Sequence, residues 1–258
     1  MIGFGELRKL SVQWETDLAT VERVYALDWL LKGIFDREVL NSTLALRGAS
    51  ALSKAYFADY PLIEDVDLAL YGNLDEGELE EKLVQAAHTA AEISGLKFIL
   101  HSMAGTEARF EYTGPLGRRS AAQPIIPLRF VRVALRSEPS PRSLRHPFSD
   151  LCDATVRAVA LEELAAERIA MLGGKPRARD VFDLWFILTH AEQLERGKTR
   201  AIAQEIALAK RVELRATLDL AYHPLLQRAW ENALKNVRLH PSLEQAEAEI
   251  AQALTQIL

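Results

Sequence analysis

The stretch "LALRGASALSKAYFADYPLIEDVDLAL", residues 44–70, decides the fold. Its pattern predicts a short strand, a turn at Gly48, a helical segment and a second strand that carries Asp65 and Asp67. Side chains alternate between the two faces of a strand, so both aspartates point to one side while their apolar neighbours point into the core. Two adjacent carboxylates repel each other unless a cation lies between them. The stretch therefore predicts a cation site beside a glycine turn.

The turn that precedes the aspartates suits an anion. Gly48 permits a positive φ and a close approach of the backbone, and the helix that follows offers free N–H groups. The Ser50 hydroxyl can donate to a phosphate oxygen, and Lys54 lies one helical turn further on. Carboxylate oxygens suit Mg²⁺, which usually takes substrate phosphates as further ligands. The pattern predicts a metal–triphosphate site, and the alternative is a solvated Asp-x-Asp after an ordinary glycine turn.

Composition indicates one large domain or two moderate ones, without disulfides. The chain has 258 residues, 49% of them hydrophobic, and Cys152 is its single cysteine. The N-terminus does not resemble a signal peptide, and no apolar run approaches membrane-spanning length, so we expect a cytoplasmic protein with no membrane partner. The formal net charge of −5 argues against a general nucleic-acid binder.

One segment departs from this acidic average. Residues 113–149 contain seven arginines and a single acidic residue, Glu138. The prolines of the segment predict loops or edge strands. RNA is one expected partner, and the expected phosphate contacts are the arginines predicted to lie in loops, namely Arg118, Arg119, Arg142 and Arg145. A solvated loop, or a surface that meets an acidic protein, is a nearly equal alternative.

The order of the predicted elements indicates an α+β protein. A buried helix ends near Asp36, and a second helix begins with a capping box at Asp75 and Glu78 and ends at Gly95. Strands are predicted at 43–47, 64–70, 96–101, 108–113 and 125–135, and a helix at 49–57. From about residue 161 the pattern is helical. We expect an α+β core over 1–150 and a helical domain over 151–258 that contributes to the site.

A second set of charged residues lies in "LEELAAERIAMLGGKPRARDVFDLW", residues 161–185. Glu163 and Glu167 are one helical turn apart, and Arg168 follows. Asp180 and Asp183 share a face of the next helix. Taken alone, this pattern favours a helical hairpin with solvated charges and with Asp180 in the favourable first turn.

Taken together and in this order, "LRGASALSKAY", "EDVDLAL", "LEELAAERIAML" and "KPRARDVFDLWFIL" resemble the AbiEii-type nucleotidyltransferases, the toxins of AbiE-like toxin–antitoxin pairs. The segment "VERVYALDWLLKGIF" resembles the first long helix of that family. The resemblance implies a core of the DNA polymerase β type, with a mixed sheet flanked by helices and a helical C-terminal part. It also implies a nucleoside triphosphate substrate, Mg²⁺ or Mn²⁺, a cognate antitoxin and, as in some members, tRNA as the acceptor.

The resemblance also implies roles for individual residues. Gly48 and Ser50 match the phosphate-binding turn, Asp65 and Asp67 match the metal-binding pair, and Asp180 matches an acid that lines the active site. Arg168 stands where the family usually has lysine, so we expect it to hold phosphate as an electrostatic clamp. Lys54 is a further candidate for nucleotide binding.

The chain departs from the family pattern at several positions. The turn is Gly-Ala-Ser instead of Gly-Gly-Thr, and Pro61 and Ile63 stand where Arg and Ser or Thr are usual. Arg132 is predicted to stand where a third metal-binding carboxylate is common. These departures motivate the alternative, a catalytically impaired protein of the same fold that binds a nucleotide or a partner.

Overall fold

A computed structural model describes residues 1–117, 124–217, 223–235, 237 and 240–258. Two units are distinguished by their internal packing. The first, here called the sheet unit, comprises Met1–Ala58, Leu62–Leu135 and Pro139–Val159. The second, here called the helical unit, comprises Asp59–Pro61, Arg136–Glu138 and Ala160–Leu258.

The sheet unit is built on one mixed sheet, to which the described residues contribute seven strands. They are β1 (Leu44–Leu46), β2 (Val66–Leu70), β3 (Lys97–Ala104), β4 (Glu107–Thr113), β5 (Ile125–Arg132), β6 (Ser140–Ser143) and β7 (Thr155–Ala158). Their spatial order is β3-β4-β5-β2-β1-β7-β6. β2 pairs antiparallel with β1 and parallel with β5, so the strand that carries Asp67 lies near the middle of the sheet.

Helices complete the sheet unit. They are α1 (Phe4–Gln13), α2 (Leu18–Phe35), α3 (Glu38–Thr43), α4 (Gly48–Ala51) and α5 (Glu76–Ser94), and a π-helical turn, Leu52–Tyr56, continues α4. The predicted capping box at Asp75 and Glu78 begins α5, and Gly95 ends it with a φ of 74°. α2 is buried on nearly every face and packs against α5, so it is the central helix of the unit.

The helical unit contains α6 (Leu161–Leu172), α7 (Ala178–His190), α8 (Arg196–Lys210), α9 (His223–Leu234) and α10 (Leu243–Leu254). α6 packs against α7 and α8, and α7 also contacts α9 and α10. The mixed sheet with flanking helices and the separate set of helices confirm the predicted α+β class. In the described part of the chain, no helix is long and apolar enough to span a membrane.

Several predicted elements differ from the observed ones. The expected strand 64–70 begins at Val66, so Asp65 lies in a bend just before it. The expected helix 49–57 is the short α4 followed by π-helical residues. β6 and β7 were not predicted, because each has only four residues and β6 contains a proline. Such short segments carry too little alternation to be recognised without their partner strands.

Gly33 allows α2 and α5 to approach each other closely. A Cβ at this position would lie 2.4 Å from the Ala86 carbonyl oxygen and 2.8 Å from the Ala90 Cβ. Both neighbours belong to the buried face of α5, so neither can move aside without shifting the helix. The absence of a side chain at Gly33 is therefore a packing requirement.

We expect Gly33→Ala to lower the free energy of unfolding by about 1–3 kcal/mol, because the added methyl overpacks this crossing. Gly77→Ala is the matched control within α5, where a Cβ would meet only the Asp75 Oδ1 at 3.5 Å. That change is expected to stabilise by up to about 1 kcal/mol through helix propensity. Urea unfolding of both variants tests the prediction, and a neutral Gly33→Ala would contradict it.

A buried polar network lies beneath the π-helical turn of the sheet unit. The Lys54 Nζ is 2.5 Å from the Asp28 Oδ1, and both side chains are almost fully buried. The His146 ring lies between two carboxylates, with Nδ1 3.2 Å from Asp28 and Nε2 2.9 Å from Asp150. The Tyr25 hydroxyl donates to Asp150 at 2.6 Å. The network joins α2 to the turn and to the segment that follows β6.

The network gives Lys54 a contact that the sequence did not indicate. The expectation was that its ammonium group binds nucleotide. The π-helical turn instead directs Lys54 into the interior, where its Nζ forms the ion pair with Asp28. An ammonium group buried next to a carboxylate is held by that charge, since separating the pair would leave both groups unsolvated. The contact that the structure shows for Lys54 stabilises the fold, and its role in nucleotide binding stays a prediction.

His146 gives the stability of the sheet unit a pH dependence. Burial alone would lower the pKa of His146, but the hydrogen bonds and negative charges of Asp28 and Asp150 outweigh burial and raise it above 6.5. Tyr25 and Lys54 are the other titratable groups of the network. A histidine with a raised pKa in the folded state stabilises fully below its unfolded pKa, and this stabilisation is lost as the pH rises through the folded value.

We expect the free energy of unfolding to fall as the pH rises from about 6.5. In His146→Gln this decline should be absent, because glutamine does not titrate. Urea unfolding at several pH values between about 6 and 9 measures both profiles. Profiles of equal slope in the two proteins would show that His146 is not responsible.

Candidate functional site

The glycine turn and the second strand are tied together at Asp67. Gly48 has a φ of 53°, in the left-handed region that the sequence predicted for this turn. The Arg47 N–H donates to the Asp67 carbonyl oxygen at 3.0 Å, and the Asp67 N–H donates to the Ser50 Oγ at 2.8 Å. Both backbone groups of Asp67 are therefore held by the residues around Gly48. Only its side chain is left to project from the sheet.

Ser50 has a role that the sequence did not indicate. The expectation was that its hydroxyl donates to a phosphate oxygen. The side chain is buried, and its oxygen accepts the Asp67 N–H. Ser50 thus positions Asp67, because its hydroxyl oxygen holds the Asp67 backbone N–H in place. A mutation at Ser50 would disturb the carboxylate pair even without a contact to the substrate.

Asp65 and Asp67 present their carboxylates on the same side, as predicted, and both are accessible to solvent. Their side chains are 42% and 33% exposed. A cation does lie between them, and it is the guanidinium group of Arg129. Its Nε donates to the Asp67 Oδ1 at 2.8 Å, and its NH2 group donates to the Asp65 Oδ2. The hydrogen bond to Asp67 and the charges of both aspartates raise the pKa of Arg129.

Arg129 also corrects the expectation for Arg132. β5 runs parallel to β2, and the register places Arg129 opposite Asp67 and Arg132 opposite Leu70. The position beside the aspartates on the neighbouring strand is therefore occupied by Arg129. Arg132 instead donates to the carbonyl oxygen of Leu74. The sequence-based error arose because a register between strands far apart in sequence cannot be read from either strand alone.

The donor set of the pair fits a divalent cation. Two partly exposed carboxylates offer hard oxygen ligands, and Mg²⁺ is commonly held by one or two carboxylates while water and phosphates complete its shell. Throughout the part of the chain that the structure describes, no group of three or more His, Cys, Asp or Glu side chains is arranged to hold a metal ion. A cation at Asp65 and Asp67 would thus take its remaining ligands from water or from the substrate.

Arg168 and its neighbours form a buried charged cluster in the helical unit. The Arg168 NH2 group donates to the Asp183 Oδ2 at 2.9 Å, and Glu167 and Asp180 lie within 3.3 and 3.8 Å of the guanidinium nitrogens. The Tyr60 hydroxyl donates to the other oxygen of Asp183 at 2.6 Å. Burial alone would lower the pKa of Arg168, but these carboxylates raise it, so the side chain stays charged.

This cluster differs from the solvated hairpin that the isolated pattern favoured. The Arg168 side chain is only 10% exposed, and Asp180 and Asp183 are buried. Asp180 is held by a second arginine, because the Arg177 Nε donates to its Oδ2 at 2.8 Å. The segments that resemble the family thus converge in this unit on a rigid network of opposite charges.

The arginine-rich segment is described only in part. Arg118 and Arg119 lie outside the described residues. Arg142 was expected in a loop but lies on the edge strand β6, with its guanidinium carbon 4.9 Å from the centroid of the Tyr56 ring. Arg145 is half-buried, and its N–H donates to the Lys54 carbonyl oxygen at 2.9 Å. An RNA-binding role for these arginines stays a prediction.

Two residues of these sites were missed by the sequence analysis. Arg129 was counted only as one of seven arginines, and Tyr60 was not singled out. The predicted strand 125–135 did place Arg129 in the sheet, so a model of strand pairing could have found it. For Tyr60 the local sequence carries no signal, since its partner Asp183 lies 123 residues away.

Comparison with solved structures supports the fold. The chain is similar to MenT4, a nucleotidyltransferase toxin from Mycobacterium tuberculosis H37Rv, with a TM-score of 0.67 and 15% sequence identity. The similarity covers 97% of this chain and 89% of MenT4. No curated protein sequence matches the chain.

A family model provides the decisive similarity. The model describes the nucleotidyl transferase AbiEii toxin of type IV toxin–antitoxin systems, and it matches residues 29–255. The match includes residues of both units, among them the carboxylate pair Asp65 and Asp67 and the charged cluster of α6 and α7. The chain therefore belongs to the AbiEii nucleotidyltransferase toxins of type IV toxin–antitoxin systems, as its motifs predicted.

Proposed function

We propose that this nucleotidyltransferase toxin uses Mg²⁺ to transfer a nucleotide from a nucleoside triphosphate to an RNA acceptor such as tRNA. The observation that supports the proposal is the solvent-accessible pair of Asp65 and Asp67, together with the Gly48 turn that holds the backbone of Asp67. Paired carboxylates beside a phosphate-binding turn suit metal-assisted phosphoryl chemistry. The membership of the chain in the AbiEii family supplies the class of reaction.

Asp65 and Asp67 would hold the divalent cation through their carboxylate oxygens. When bound, the cation neutralises charge that develops on the transferred phosphoryl group. The Gly48 turn would cradle the distal phosphates, since a positive φ brings backbone N–H groups close to an anion. Ser50 and Arg47 keep the Asp67 backbone in place, so the carboxylate is oriented before substrate arrives. Preorganisation of this kind lowers the cost of reaching the transition state.

Arg168 and Asp180 are implied by the resemblance to act in the reaction. We propose that Arg168 acts through its charge network, in which its guanidinium group holds the Asp180 and Asp183 carboxylates in place. Arg168 cannot serve as a base, because arginine does not lose its proton in proteins. Asp180 is the candidate catalytic carboxylate of the helical unit, because the resemblance matches it to an acid that lines the active site.

The experiment that tests the proposal follows label from each α-labelled nucleoside triphosphate into total tRNA in the presence of Mg²⁺. Label that appears in RNA with one preferred nucleotide, and that is lost when EDTA removes the metal, is the expected result. Label found only in protein, or label in RNA despite EDTA, would contradict the proposed acceptor or the metal requirement. Transfer of label to a synthetic RNA without a tRNA acceptor end shows whether the enzyme requires tRNA or accepts RNA in general.

The arginine-rich segment allows a second arm of the same experiment. Replacing Arg118, Arg119 and Arg142 with glutamate should reduce transfer to tRNA and leave the affinity for Mg²⁺-triphosphate unchanged. Each phosphate contact adds roughly −0.7 to −0.9 to the slope of log K against log salt, so RNA affinity should be steeply salt-dependent. A cognate antitoxin would be the partner of the alternative, and unchanged RNA affinity in this variant would favour it.

A further inference from the structure

The cation between the two aspartates is part of the chain itself. Arg129 lies on β5, its guanidinium contacts both carboxylates, and its side chain is 48% exposed. Arginine is permanently charged in proteins. The attraction between the guanidinium group and the two carboxylates compensates the repulsion that the sequence predicted between Asp65 and Asp67. One oxygen of each carboxylate that would bind a divalent cation is therefore already hydrogen-bonded to Arg129.

We propose that Arg129 is a resident counter-ion of the carboxylate pair, which must withdraw before a divalent cation binds and which makes the site favour a metal–triphosphate over a free metal ion. This inference rests on the proposed role of Asp65 and Asp67 as metal ligands. With Arg129 in place the three side chains carry a net charge of −1, the sum of −2 and +1. A divalent cation beside the guanidinium would turn this into +1, and the two cations would repel each other.

A triphosphate removes this conflict. It brings several negative charges with the metal, so the guanidinium gains an anionic partner as it leaves the aspartates. A free cation offers Arg129 no such partner. The arrangement would thus keep the site closed to the free metal ions of the solution and open to the substrate complex.

The sheet provides a second partner for Arg129. Across β4 and β5, the residue in register with Arg129 is Glu107, whose carboxylate is paired with Arg109 at 2.6 Å. Asp67, Arg129 and Glu107 therefore lie in one row across three neighbouring strands. Residues in register share a face of the sheet. A change of side-chain rotamer would bring Arg129 from Asp67 toward Glu107. Because Glu107 is already paired with Arg109, it eases this movement but does not replace the anionic partner that a triphosphate supplies.

Titration with Mn²⁺ in the absence of nucleotide tests the inference, with affinity measured by calorimetry and by the loss of the free Mn²⁺ resonance signal. Arg129→Gln is expected to bind Mn²⁺ roughly tenfold more tightly than the wild type, because it removes a competing cation at contact distance. Arg132→Gln is the matched control. It removes the same charge from the same strand, but its side chain contacts Leu74 and not the aspartates, so its affinity should stay within about twofold.

The double variant Arg129→Gln with Asp67→Asn shows whether the gain depends on the carboxylate pair. It should lose the tighter binding. A gain that persists in the double variant, or equal Mn²⁺ affinity in Arg129→Gln and wild type, would overturn the inference while leaving the proposed transfer reaction intact. If neither protein binds Mn²⁺, the metal role of the pair fails together with the inference.

Arg129→Lys guards against a folding defect in the glutamine variant. Lysine keeps the charge but loses the forked contact with two carboxylates. Its Mn²⁺ affinity is expected to lie between those of the wild type and Arg129→Gln. A lysine variant that folds normally and binds no more tightly than the wild type would count against the inference.

Discussion

Asp67→Asn is expected to slow nucleotidyl transfer by about a thousandfold or more, since the loss of a metal ligand removes several kcal/mol of transition-state stabilisation. The fold should survive. The contacts that hold Asp67 in the sheet come from its backbone, which donates to Ser50 and accepts from Arg47. Asparagine keeps both contacts and has nearly the same size.

The measurement is single-turnover transfer of labelled nucleotide, together with thermal unfolding of each protein. Asp75→Asn is the matched control, because Asp75 is an exposed helix cap of the same unit and asparagine caps a helix equally well. Its activity should equal that of the wild type. Activity of Asp67→Asn within about tenfold of the control would mean that the pair does not hold the catalytic metal.

Asp28→Ala is expected to lower the free energy of unfolding by about 3–5 kcal/mol. Asp28 is fully buried, forms an ion pair with the Lys54 ammonium group, and its other oxygen lies 3.2 Å from the His146 Nδ1. Its removal leaves a buried ammonium group without its counter-ion, and burial of an unpaired charge is among the most destabilising of single changes. The same reasoning explains why Lys54 cannot turn toward a nucleotide without a large cost in stability.

Two further variants show whether the destabilisation comes from the unpaired Lys54 ammonium group or from a general loss of packing. Asp36→Ala removes a carboxylate from the partly exposed pair with Lys32 at the end of α2 and should cost at most about 1 kcal/mol. The double variant Asp28→Leu with Lys54→Met replaces the buried pair with apolar side chains of similar volume, and should regain much of the lost stability. Asp28→Ala with wild-type stability in urea unfolding would show that the pair is not a determinant of the fold.

The local sequence determined the elements whose signals lie within a few residues of each other. The Asp-x-Asp spacing predicted that both carboxylates lie on one side, where Arg129 contacts them both, although Asp65 precedes the strand. Gly48 adopts the positive φ that the turn predicted, and the capping box begins α5. These features follow from the periods of strand and helix and from the φ range of glycine, which depend on the chain alone. The family motifs then added the class of enzyme, which the match over residues 29–255 confirmed.

Tertiary structure decided what those residues contact. Arg129 reaches Asp67 because β5 pairs with β2 in one register, although 62 residues separate them. Lys54 turns inward because the helix after Gly48 becomes π-helical, and an ion pair with Asp28 is formed inside the core. Hydrophobic residues recur with the period of their helix or strand, whereas the position of a charged residue in the sequence does not identify the residue with which it will pair. The sequence therefore determined which groups could bind a cation, and only the packing of distant segments decided that an arginine of the same chain lies between them.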